Sequence, residues 1–117
     1  VELVVLDGFL SVIPPELLAR WRGRMINIHP SLLPRHGGRG MFGRRVFEEV
    51  LAAGDAETGA TVHLVTEQLD GGPILEQRSL PVHPGDTPET LRERLRPVEI
   101  ETLCTAIGAW KPPRSNP

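Results

Sequence analysis

Apolar and polar residues alternate along Ile-Asn-Ile-His at positions 26–29, after Met25. A period of two marks a β-strand, here over residues 24–29, and it sends Asn27 and His29 to one face and Ile26 and Ile28 to the other. An earlier apolar run at residues 3–6 ends at the turn signal Asp7-Gly8 and reads as a strand too. Between the two, Pro14-Pro15 opens a short helix that reaches about Trp21, because proline suits a first turn, and Gly23 ends it. Strand, helix and strand in that order suggest a parallel crossover unit.

Residues 30–43 read as a long loop carrying Pro34, Gly37, Gly38, Gly40 and Gly43. Glycines at this density permit backbone conformations closed to other residues and close approach to a ligand, though a surface loop has the same composition. A helix beginning at 41 or 43 and ending at 53 places Val46, Val50 and Leu51 on one stripe, with Phe47 beside it. Residues 58–66 are rich in β-branched side chains and form a strand. A polar turn at 67–72 leads to a strand at 73–82, with Ile74, Gln77, Leu80 and Val82 as core candidates. Thr87 is a plausible N-cap for a last helix, with Pro88 at the first position. Leu91, Leu95, Val98, Leu103 and Ile107 recur on that helix near helical spacing, and Pro97 predicts a kink or break. The fold class expected is α/β, an open, mainly parallel twisted sheet with flanking helices. Residues 1–110 form one domain, and the proline-rich 111–117 a flexible tail.

Composition narrows the classes. The chain has 117 residues and a formal charge of −2, so no basic field argues for nucleic acid or an anionic membrane surface. No apolar run approaches the roughly 20 residues of a spanning helix. A single cysteine, Cys104, allows no internal disulfide, which is compatible with a reducing cytosol. Val1 starts directly in a strand-like run, so the chain is expected to be the C-terminal part of something longer.

Asn27 and His29 make a donor pair at a strand end, suited to grip a carbonyl oxygen and move a proton. Ligands in open α/β sheets bind at that edge. A carboxylate from Asp70, if it lies near His29, orients the ring and stabilises its cation. The set fits attack by an amine or water on an acyl carbon. His36 and His63 invite a zinc reading with His29 and Asp70, but the spacing matches no tight ligand motif, so no metal is expected. Gly37-Gly38-Arg39-Gly40 lacks the lysine of a phosphate loop. Arg35, Arg39, Arg44 and Arg45 read first as a solvated face, from which one or two arginines are able to meet an anionic substrate.

Three motifs carry a resemblance: Asn27-Ile28-His29-Pro30-Ser31-Leu32-Leu33-Pro34, Gly59-Ala60-Thr61-Val62-His63, and Leu69-Asp70-Gly71-Gly72-Pro73-Ile74. In order and spacing the chain resembles the folate-dependent formyltransferases, most closely their purine-synthesis branch, from Leu3 to about Trp110. The loop at 37–43 also resembles one subgroup. The resemblance implies transfer of a formyl group from 10-formyltetrahydrofolate to the amine of glycinamide ribonucleotide. By the same resemblance, Asn27 and His29 hold the oxyanion, and Asp70 holds His29 and relays the amine proton. Leu10, Ser11, Val12, Ile13, Val65, Thr66 and Leu69 then wall the pterin pocket. The family also has a strand and a glycine-rich, phosphate-holding turn that would precede Val1. The partners implied are these two small molecules, without nucleic acid or membrane, in the cytoplasm, with room for a homodimer. The same scaffold serves formyltetrahydrofolate hydrolases and methionyl-tRNA formyltransferases, though the latter usually add a basic tRNA-binding domain not found here. A non-catalytic fragment that folds on a partner is the remaining alternative.

Overall fold

The computed structural model describes residues 3–7, 13–68 and 70–113. In chain order the elements are β1 (Val4–Asp7), α1 (Pro15–Arg20), β2 (Met25–His29), α2 (Arg44–Ala52), β3 (Glu57–Leu64), β4 (Ile74–Pro81) and α3 (Pro88–Ala109). The strands form one sheet in the order β1-β2-β3-β4. The α/β class and the open sheet therefore stand, with boundaries within about two residues of expectation.

The pairing is mixed rather than mainly parallel. Among the described residues only β1 and β2 run parallel, with Val4 opposite Met25 and Asp7 opposite Ile28. The β2–β3 and β3–β4 ladders are antiparallel. The reason lies in the connections. The chain leaves β2 at His29 and re-enters the sheet at the same edge, where Thr61 pairs with His29, so β3 must run back. The link from β3 to β4 is a short turn, and short turns join antiparallel neighbours.

Every residue of β2 is buried, as expected of a central strand. Ile26 and Ile28 pack with Ala60, Val62 and Ala106, between the sheet and α3. Phe47 and Val50 of α2 close a second cluster on Leu91 and Leu95 of α3. Met25 points the other way, onto Leu18 of α1 and Val65. Asn27 and His29 share Met25's face by alternation. Burial of this kind contributes about 1.5–3 kcal/mol per large aliphatic side chain.

Three core expectations are corrected. Ile74 and Ile107 are exposed, at 49% and 42%, and Gln77 on β4 is exposed as well. Ile74 begins the outer strand β4, and it is Leu75 that packs inward. On α3 the buried positions are Leu91, Leu95, Thr102 and Ala106, so the inner face misses Ile107. Pro97 does not break the helix, which is continuous from Pro88 to Ala109. Apolar contacts on both sides of Pro97, through Leu95 and Ala106, hold the two halves in line. The start of α3 follows expectation: Thr87 Oγ1 accepts from the Thr90 amide, and the Thr90 hydroxyl accepts from the Thr87 amide.

Candidate active site

The buried end of β2 brings the expected residues together. Asn27 faces His63 across the antiparallel ladder, and His29 faces Thr61. Thr61 ties the following loop to β3. Its hydroxyl donates to the Ser31 carbonyl (2.7 Å) and accepts from the Leu33 amide (3.1 Å) and the Gln77 side chain (2.9 Å). The loop is thus pinned at its start by buried polar bonds, and the end of His29's strand cannot drift.

Asp70 arrives by the β3–β4 turn. The Leu64 amide donates to the Pro73 carbonyl at 2.9 Å and closes that turn. A Cβ at Gly72 would collide with the Leu64 carbonyl, so only glycine permits the closure. Asp70 itself has φ +54°, in the left-handed region that aspartate tolerates better than most residues. Its Oδ1 lies 3.9 Å from His29 Nδ1 and 3.6 Å from His63 Nε2, while Oδ2 accepts from the Gly38 amide at 2.8 Å. Oδ1 is buried and has no hydrogen-bond partner among the described residues. A buried carboxylate oxygen left in this state, beside two imidazole nitrogens, is an acceptor held ready for a proton.

The ring nitrogens can be assigned from their partners. His29 Nε2 lies 2.8 Å from the His36 carbonyl, which only accepts, so Nε2 carries the hydrogen. Nδ1, facing Asp70, is the nitrogen free to exchange a proton. His63 Nδ1 likewise donates to the Leu64 carbonyl (3.0 Å), which leaves Nε2 to accept from Asn27 Nδ2 at 3.2 Å. His63 therefore orients the Asn27 amide.

Burial pushes the His29 pKa below its ordinary value, against the raising effects of the His36 carbonyl and Asp70. For Asp70, burial pulls upward but is outweighed. Attraction from the nearby His63 and His29 rings when these carry a proton, together with the Gly38 amide, holds its carboxyl below the usual range. At neutral pH the site is a neutral imidazole beside a carboxylate, an arrangement that accepts a proton.

Ile13 is half-buried, and Val65 is buried in the same apolar cluster with Leu18 and Met25. Thr66 is half-buried at the start of the turn, where its hydroxyl accepts from the Gln68 amide. Leu10, Ser11, Val12 and Leu69 lie outside the described residues. No described cluster of three or more His, Cys, Asp or Glu side chains is arranged to hold a metal. Of the histidines in the zinc reading, His36 directs Nε2 to Asp55 Oδ2 at 2.6 Å.

A cavity of about 960 Å³ opens beside His29 and Asp70, between the loop at 38–43 and α3. Arg39 and Phe42 line it from the loop, and Arg92, Arg96 and Glu99 from the helix. Arg44 and Arg45 face acids of their own helix, Glu48 and Glu49, as a solvated face would. One residue of the site, Glu99, is not singled out by the sequence, and the role of His63 shows only once β3 is registered against β2, opposite Asn27. Glu99 shares a helix face with Arg92 and Arg96 at spacings of seven and three. Burial and the charge on Asp7, against Arg92 and Arg96, push the Glu99 carboxyl up to about 7.

A family model described as formyl transferase matches residues 1–107. The chain is 44% identical over 108 residues to the phosphoribosylglycinamide formyltransferase of Mycobacterium tuberculosis, a match covering 92% of this chain and 48% of that protein. Its fold is similar to the crystal structure of phosphoribosylglycinamide formyltransferase from Anaplasma phagocytophilum, at a TM-score of 0.82 and 37% identity, over 92% of this chain and 50% of that one. A formyltetrahydrofolate deformylase from Pseudomonas syringae is also similar, at 0.79 and 34% identity, over 91% of this chain and 34% of that one. The chain thus spans about half the length, or less, of the proteins it matches.

Proposed function

The chain belongs to the formyl transferase family, and on that premise we propose that it carries the catalytic centre for formyl transfer from 10-formyltetrahydrofolate to the amine of glycinamide ribonucleotide, in purine biosynthesis. The observation that carries the reading is the bare Asp70 Oδ1, buried within 4 Å of both His29 Nδ1 and His63 Nε2. The substrate amine attacks the formyl carbon, and a new C–N bond forms. Asn27 donates to the developing oxyanion, its amide oriented by His63. The amine proton passes through His29 Nδ1 and Asp70 and ends on N10 of the folate as the bond from N10 to the formyl carbon breaks. The products are the formamide and tetrahydrofolate, and no metal is required for the balance.

Leu10, Ser11, Val12, Ile13, Val65, Thr66 and Leu69 wall the pterin side in this reading. Ile13 and Val65 support it by sharing one apolar cluster next to β2. The cavity toward α3 receives the amine substrate, with Arg39, Arg92 or Arg96 within reach of an anionic group. A cytoplasmic setting fits a chain whose described residues include no helix long and apolar enough to cross a membrane.

Similarity to a deformylase motivates the second reading, in which water replaces the amine. Formate release measured on the intact protein with and without glycinamide ribonucleotide separates the two. Transfer predicts folate turnover that depends on the amine. Equal turnover in its absence means hydrolysis.

A further inference from the structure

The loop segment 36–38 touches both proton-handling residues with its backbone. The His36 carbonyl accepts from His29 Nε2 at 2.8 Å, and the Gly38 amide donates to Asp70 Oδ2 at 2.8 Å. One peptide segment thereby fixes the tautomer of the imidazole and the rotamer of the carboxylate. A segment so used must itself be held. His36 sits at φ +53°, a conformation unfavourable for a non-glycine residue that persists only where its surroundings enforce it. Its side chain supplies the enforcement, since His36 Nε2 meets Asp55 Oδ2 at 2.6 Å, with the side chains only 17% and 20% exposed. Asp55 lies just past α2, which Phe47 and Val50 anchor to α3. Behind the segment, the buried Ser31 hydroxyl donates to the Arg35 carbonyl at 2.5 Å.

We propose that the His36–Asp55 pair is a positioning clasp, which holds segment 36–38 so that His29 keeps its proton on Nε2 and presents a bare Nδ1 to Asp70. The pair touches no substrate and acts through the backbone it anchors. The proposal rests on the reading of His29 and Asp70 as the proton-transfer pair. It extends that reading to segment 36–38, which acts through its backbone.

The test uses the intact protein with ¹⁵N-labelled histidine. His36→Asn is the informative substitution, because asparagine tolerates positive φ but is too short to reach Asp55. The ring ¹⁵N shifts report the tautomer of His29 without substrate, and the Gly38 amide proton reports its bond to Asp70. In the wild type we expect His29 as the single Nε2–H form. In His36→Asn and Asp55→Ala we expect mixed tautomers, a weakened Gly38 bond, and kcat lower by roughly 10- to 100-fold at a KM within about two-fold. Asp55→Asn keeps an acceptor oxygen and restores most of the rate. Wild-type tautomer and Gly38 shift in both disruptive variants overturn the clasp, as does an altered tautomer at unchanged kcat. Should His36→Asn fail to fold, the Asp55 variants decide the matter. Absence of formyl transfer by the wild type contradicts the reaction proposed above, while the tautomer comparison still decides the clasp.

Discussion

Glu99 shows how a single carboxyl couples the site to solution conditions. Its ordinary value is 4.5, and burial first, then Asp7, raise it to about 7 in the fold. Between those values the folded state holds a proton that the unfolded chain has released. Stability contributed by the neutral carboxyl is therefore present below 4.5 and lost as pH rises through 7. Glu99→Gln should be more stable than wild type above pH 7 by about 1 kcal/mol, after discounting for partial exposure, with no gain near pH 4. Urea denaturation at both pH values checks this, and a gain at both would assign the effect to packing rather than ionisation. His29 and Asp70 act in the opposite sense. Their lowered values make the folded state resist protons as pH falls, so each loses stability toward acid. At this scale the sequence was legible for Asn27, His29 and Asp70, because strand alternation and motif spacing point to them. It was silent on Glu99 and on the role of His63, whose neighbours come from other elements and become visible only in three dimensions.

Among the elements, the turn between β3 and β4 and the helix α3 carry the clearest tests. Gly72 lies against the Leu64 carbonyl with no room for a Cβ, and the turn it closes delivers Asp70. Gly72→Ala should cost about 1–3 kcal/mol in thermal or chemical denaturation and depress activity more than stability alone explains. An alanine variant of wild-type stability and rate would show that the turn has slack. In α3, Pro97 offers no backbone N–H to the preceding turn, yet the helix runs through it. Pro97→Ala at this exposed position should raise the melting temperature, by the equivalent of about 1 kcal/mol or more. An unchanged or lower value would mean that the proline's shape serves the packing of α3. Helix and strand positions were largely readable, since periodicity is a local property. The continuity of α3 was not, because contacts from the sheet and α2 override a local break signal. Nor was the direction of β3, which depends on the edge at which a long connection re-enters the sheet.

For the whole molecule, one sheet carries the proposed reaction at the buried end of its central strand. Loop 30–43 is tied to it by Thr61, Ser31 and the His36–Asp55 pair, and the β3–β4 turn supplies the carboxylate. The α/β class was readable because strand and helix patterns alternate along the chain. The strand mixture was not, for the topological reason just given. In the proposed reaction Asn27, His29 and Asp70 transfer a formyl group to an amine. Its most direct test follows a ¹³C-labelled formyl group from 10-formyltetrahydrofolate by NMR, in the intact protein with glycinamide ribonucleotide present. The label should appear as the formamide of that amine, and His29→Ala and Asp70→Asn should each slow its appearance by about 10²- to 10⁴-fold while remaining folded. Label recovered only as formate, or transferred at wild-type rate by either variant, would contradict it.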